Sequence, residues 1–282
     1  MAAIPAKVVD RISDGLKRLQ PIMSSAKSRD VNESDTVTII VDLLSDVFGY
    51  DRYAEITREF VIRNTFCDLA VKIDGKPCLL IEVKAIGLEL KDSHVKQAVD
   101  YAANEGIEWV ALTNGNIWCV YRVAFEKPIS HELVFEVDLL TLNPRKRNEI
   151  ESLYVLSREG IRKSALDEYH IQRQAMSRYM LGALLRSEPV LMIVRRELKR
   201  LAPDARVSLD DIEHVLINDV FKRDVVDGDR ALEAKKKVDR MIKRLEKAKT
   251  LEKRASADES NSSVSPDLDE RADRAEISNG DV

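Results

Sequence analysis

Residues 66–84, FCDLAVKIDGKPCLLIEVK, constrain this chain more than any other stretch. Asp74-Gly75 between two apolar runs is a strong local signal for a β-hairpin, with strands at about 67–73 and 78–84. The return strand is an almost unbroken apolar run that ends in Glu82 and Lys84, two apart and therefore on one face. A three-residue loop centred on Gly75, with a bulge there, sets Leu69 opposite Ile81, Val71 opposite Leu79 and Cys67 opposite Val83, an apolar face throughout. The other face then sets Asp68 directly opposite Glu82. Opposed carboxylates are unfavourable alone. A divalent cation between them removes that cost, and an all-oxygen set suits Mg²⁺ or Mn²⁺.

The flanking elements follow from periodicity. Residues 5–25 carry a helical stripe of Val8, Val9, Ile12, Leu16 and Leu19, with Pro21 expected to kink or end it. A second helix is expected after Asn32, closed by Gly49, and a strand over 53–62 should pair with the hairpin. Glu55 and Glu59 would share that strand's face and line the sheet edge. After Lys84 comes a helix from Ser93 to about Glu105, stopped by Gly106, then strands at 108–113 and 117–123 around Asn114-Gly115, with a last strand over 135–139. On the helix, Gln97 and Tyr101 stand four apart and so share a face. His94 falls on that same face, where a solvated histidine is the ordinary state.

Asp68, then Glu82-Val83-Lys84, resembles the PD-(D/E)xK nuclease signature, with Cys67 standing where proline is usual. Gln97 and Tyr101 resemble the QxxxY extension of one branch of that superfamily. LTNGNIWCVYR and ESDTVTIIVDLLSDVFGY resemble segments of the N-terminal nuclease domain of type I restriction enzyme R subunits, over roughly residues 32–122. The resemblance implies a restriction-endonuclease-like α/β core, a central mixed sheet flanked by helices. It implies that Asp68, Glu82 and the carbonyl of Val83 hold Mg²⁺ or Mn²⁺. Lys84 would orient or polarise the attacking water, and Gln97 and Tyr101 would contact DNA or support the lysine. Glu33 matches the helix glutamate that some members aim at the metal. It is equally a first-turn acid favoured by the helix dipole. The implied activity is a DNA endonuclease, in restriction or phage defence. The alternative is a catalytically inactive module on the same fold that binds nucleic acid or a partner. R subunits fuse this domain to an ATP-driven motor. No G-x-x-x-x-G-K-[S/T] phosphate loop occurs in these 282 residues, so a stand-alone relative of the nuclease domain is expected.

Three regions are expected: a nuclease domain over 1–140, a helical region over 141–254 and a disordered acidic tail over 255–282. In the helical region, helices are read at 149–159, 165–185, 189–201, from Ser208 onward, and at 229–253. The last carries Lys235, Lys236, Lys237, Arg240, Lys243, Arg244 and Lys247. A solvated helix face, a DNA contact and a coiled-coil partner that would make a homodimer are all open for it. Net charge is −4, with acids concentrated in the tail, so charge neither supports nor excludes nucleic acid. Three cysteines, no signal-peptide pattern and no membrane-length apolar run point to reduced thiols in a cytoplasmic protein.

Overall fold

The computed structural model describes residues 4–62 and 65–262. The chain divides into two compact units at Ala175/Met176. The first unit is a six-stranded mixed sheet flanked by helices. The strands are β1 (Ile56–Ile62), β2 (Thr65–Ile73), β3 (Lys76–Val83), β4 (Trp109–Thr113), β5 (Ile117–Ala124) and β6 (Ser130–Asp138). They lie side by side in sequence order, antiparallel except for the β3–β4 pair. That parallel pair needs a crossover, which helix α3 (Asp92–Glu105) provides.

Strand alternation gives the sheet two apolar faces. Leu69, Val71, Leu79, Ile81, Val83 and Trp118 pack under α1 (Ala6–Ser28) and α2 (Glu33–Asp42). Ala70, Leu80, Val110 and Leu112 pack under Val95, Ala98, Val99 and Ala102 of α3. β3 is thus covered on both sides, which is why its sequence reads as a continuous apolar run.

Several boundaries differ from the sequence expectation. α1 continues through Pro21 to Ser28, because Met23 and Ala26 extend its buried stripe and outweigh one lost hydrogen bond. After α2 the chain tightens the fit with a π turn, Leu43–Val47, that buries Leu43, Leu44 and Val47, with Phe48 next, edge-on to Trp118 at 5.6 Å. α3 begins at Asp92 rather than after a Ser93 cap, and His94 Nδ1 accepts the Lys91 N–H at 3.3 Å. The strand expected from Tyr53 begins at Ile56. Glu55 lies before it, buried and held by Arg158 Nε at 2.7 and 2.8 Å, and does not line an edge.

The first unit also extends past residue 140, where the nuclease domain was expected to end. Helices α4 (Arg147–Ser152), α5 (Arg158–Arg162) and α6 (Ala165–Ala175) belong to it, and Ile150, Leu153, Val155, Leu156 and Leu166 join the core beneath α1. The helix read at 149–159 is broken by a 3₁₀ turn, Leu153–Leu156, since no α-helix can bury four consecutive side chains on one face. Arg11 ties the start of this unit to its end. Its guanidinium grips both Glu159 oxygens at 2.8 and 2.7 Å and the carbonyls of Val47 and Phe48.

The second unit contains α7 (Arg178–Leu185), α8 (Glu188–Leu201), α9 (Leu209–Val215), α10 (Arg223–Val226) and α11 (Asp229–Ser262). The single helix read over 165–185 is two, because Ser177 caps α7 by accepting the Met180 N–H. α11 runs to Ser262, past residue 255 where the tail was expected to begin; residues 263–282 of that tail lie outside the described residues. Among the described residues no helix is long and apolar enough to cross a membrane.

Candidate metal and nuclease site

The site forms where β2 and β3 part company. Their ladder runs Val71↔Leu79, Ala70↔Leu80, Leu69↔Ile81, and no further pair follows. The next β2 residue, Asp68, replaces the missing ladder bond with its side chain: Oδ2 accepts the Val83 N–H at 2.7 Å. The strand end is thereby tied to a carboxylate. Glu82 and Lys84 follow on the α3 side of the sheet. Lys84 Nζ donates to Glu82 Oε1 at 2.7 Å and to the Val83 carbonyl at 2.9 Å, and stands 3.8 Å from Glu33 Oε2. Asp68, Glu82, Val83, Lys84 and Glu33 are therefore brought together at the C-terminal end of the central strand.

Burial sets the electrostatics. Glu82 is 8% exposed, and desolvation first, then the Asp68 and Glu33 charges, push its carboxyl above the usual range against the Lys84 hydrogen bond. For Lys84 desolvation works downward. The Glu82 hydrogen bond and the charges of Glu82, Glu33 and Asp68 outweigh it and hold the ammonium above its ordinary value. Beneath the site, burial and then Glu82 and Asp68 push the Cys67 thiol up to about 12, so it stays protonated.

Gln97 and Tyr101 are joined to each other: the Gln97 amide donates to the Tyr101 hydroxyl. Gln97 is exposed and Tyr101 buried, and neither is hydrogen-bonded to Asp68, Glu82 or Lys84. The pair shares a face of α3, as its spacing of four required, but Tyr101 sits in the core beneath that helix and only Gln97 reaches solvent.

Three further residues, Thr36, Asn114 and Asn116, hold the site's backbone, a role that the sequence did not mark for them. Lys84 N–H completes the β4 pairing through the Thr113 carbonyl, and the chain then leaves the sheet. Thr36, fully buried on α2, accepts the Ile86 N–H at 3.1 Å and donates to the Asn32 carbonyl at 2.8 Å. Asn114 Nδ2 donates to the Leu88 carbonyl and Asn116 Nδ2 to that of Ile86. A threonine in a helix and an Asn-Gly turn look ordinary in sequence, and only the fold brings them to the exit from Lys84.

Among the described residues, no three or more His, Cys, Asp or Glu side chains are gathered to hold a metal. The donors present are two carboxylates and a carbonyl, all oxygen. That set fits a hard cation such as Mg²⁺, which keeps several of its waters. The Lys84 ammonium rests on Glu82 Oε1 and the Val83 carbonyl, so these oxygens already attract positive charge.

Comparison with known proteins gives one match. Residues 38–134 match the family model of the Type I restriction enzyme R protein N terminus. No curated protein and no solved structure matches. The matched segment carries Asp68, Glu82, Lys84, Gln97 and Tyr101, while Glu33 precedes it. It covers α3 and all of the sheet except the end of β6, but leaves out α1 and α4–α6, which cover the sheet's other face.

Proposed function

We propose that this protein is a divalent-metal-dependent DNA endonuclease that hydrolyses phosphodiester bonds, acting in restriction or phage defence. The observation that supports it is the meeting of Asp68, Glu82 and Lys84 at one strand end, inside the segment that matches the R-protein family. Asp68, Glu82 and the Val83 carbonyl would hold Mg²⁺ or Mn²⁺. Bound there, the cation supplies charge neutralisation for the phosphate and makes a water nucleophilic at neutral pH. Lys84 adds a preorganised positive charge at the reacting phosphate and orients the water. Gln97, exposed on α3, and Tyr101, buried beside it and joined to it, would contact the DNA backbone or support the lysine.

Plasmid cleavage with Mg²⁺, Mn²⁺ or EDTA, run beside calorimetric metal titration, tests this. Asp68→Ala should lose both metal affinity and cleavage. Lys84→Ala should keep or tighten metal binding, since a competing ammonium is gone, and lose about a hundredfold in rate, roughly 3 kcal/mol. Cleavage by Lys84→Ala at the wild-type rate would remove the role given to this lysine. A second reading, a binding module without turnover, has one observation in its favour: Lys84 already neutralises Glu82, so the site is satisfied without a cation. Wild-type protein that binds no divalent cation in the presence of DNA would select it.

A further inference from the structure

Helix α11 is sorted by charge as well as by hydropathy. Ala231, Ala234, Val238 and Ile242 turn inward, and over this stretch α11 packs on α7. On the opposite face, at spacings of four, three, one and three, stand Lys236, Arg240, Lys243, Arg244 and Lys247, all exposed. At 1.5 Å rise per residue they span about 16 Å along a single line. Asp239 and Glu246 fall to one flank, and Glu233 stands on the same face at its N-terminal end, three residues before Lys236. None of the five cations takes part in a salt bridge among the described residues, and the one side-chain bond they make is Arg240 Nε to the Lys236 carbonyl within the helix.

A face that only needs water gains from mixed signs, because oppositely charged neighbours three or four apart stabilise a helix. Lys236 and Lys243 have acids at spacings of three or four, but Arg240, Arg244 and Lys247 have none, and their charged neighbours there are alike: Arg240 with Lys236, Lys243 and Arg244, and Lys247 with both Lys243 and Arg244. Each such pair opposes the helix. Continuous polyanion removes that repulsion and releases counterions as it does so. A double helix presents phosphates in a row at separations that a line of helical cations can follow.

We propose that the outer face of α11 is a docking surface for the phosphate backbone of duplex DNA, without sequence preference. This rests on DNA being the partner of the site in the first unit, and it gives the second unit a duplex-binding surface of its own. The surface needs no metal and no chemistry, so it can be measured apart from cleavage.

The test uses the full chain in EDTA and a fluorescent duplex, with affinity followed by anisotropy over a range of salt. One variant replaces Lys236, Arg240, Lys243, Arg244 and Lys247 by Gln. A control replaces five scattered exposed lysines, Lys7, Lys127, Lys163, Lys199 and Lys222, by Gln, so that the net charge is the same. The stripe variant should weaken binding at least tenfold at 0.1 M salt and flatten the log–log salt slope by about four, near one per lost contact. The control should keep the wild-type slope. Glutamine suits a helix, and relief of repulsion should leave the stripe variant's thermal midpoint at low salt equal or higher, which verifies that it is folded. An unchanged slope in the stripe variant, an equal loss in the control, or no duplex binding by wild type would each overturn the proposal. So would a stripe variant that keeps DNA binding and loses only binding to phosphatidylserine vesicles. Mg²⁺-dependent cleavage by the wild type, read apart from duplex binding in EDTA, keeps the fate of the nuclease site separate from that of α11.

Discussion

At the scale of single residues, Thr36 shows how little chemistry is needed to fix a site. Its hydroxyl spends its one proton on the Asn32 carbonyl and accepts the Ile86 N–H, so the first turn of α2 and the exit from Lys84 move as one piece. Thr36→Val has the same shape but leaves a buried N–H without a partner. It should cost about 1–3 kcal/mol in a urea titration, while Thr36→Ser should lie close to wild type. Equal stability of the valine and serine variants would show that the hydroxyl contributes nothing. Glu159 is a second case. The Arg11 hydrogen bonds, against some desolvation, hold its carboxyl below the usual range. A carboxylate depressed in the folded state stabilises above its unfolded value, about 4.3, and loses that contribution as pH falls through its folded value. Stability measured from pH 6 downward should therefore fall less steeply in Glu159→Gln than in wild type, and parallel curves would refute this. Among the site residues, Asp68, Glu82 and Lys84 were legible because a two-residue spacing on a strand fixes a face. Glu55 was misread as an edge residue, because its partner Arg158 arrives about a hundred positions later and leaves no local trace.

At the scale of the element, the hairpin reaches the expected register by a different route. The turn is two residues, Asp74 and Gly75, both with positive φ of 51° and 78°, as a type I′ turn requires. The extra residue is taken up between Val71/Lys72 and Leu79, where the pairing shifts by one. Apolar matching thus predicted the pairs nearest the site and could not say which residue would bulge. The consequence shows in the cysteines. Cys67 packs on the α3 face, opposite to the side expected from a pairing with Val83, and Cys78, which lies where the pairing shifts, packs against the α1 face. Gly75→Ala should destabilise by about 1–2 kcal/mol, from its left-handed backbone, with open space around the added methyl. Metal affinity at the far end of the strands should not change. A change there would mean that the turn, and not the core, sets the register of Asp68 against Glu82.

At the scale of the whole molecule, the segment that matches a family and the segment that folds are not the same. Residues 38–134 supply the sheet as far as the middle of β6, but without α1 and α4–α6 the face that holds Leu69, Val71, Ile81 and Trp118 would keep only the end of α2 and the stretch Leu43–Phe48 as cover. A fragment of residues 38–134 should show no cooperative urea transition by circular dichroism, whereas residues 1–175 should unfold as one unit. A sharp transition in the short fragment would disprove this. The mixed order of strands and helices announced the α/β class in the sequence. The boundary at Ala175 did not show there, because helices 147–175 join the sheet unit through partners distant in sequence, α1 on one side and β5 and β6 on the other, as in Tyr169 edge-on to Phe135 and the Arg122–Asp167 ion pair. The clasp of Arg11 on Glu159 has a further meaning for a chain made from its N-terminus. Synthesis proceeds at roughly 5–20 residues per second. Asp68, Glu82 and Lys84 leave the ribosome several seconds before Glu159, the far half of that clasp, has been added. A growing chain therefore carries its acids and its lysine through an interval in which the core that aligns them cannot yet close.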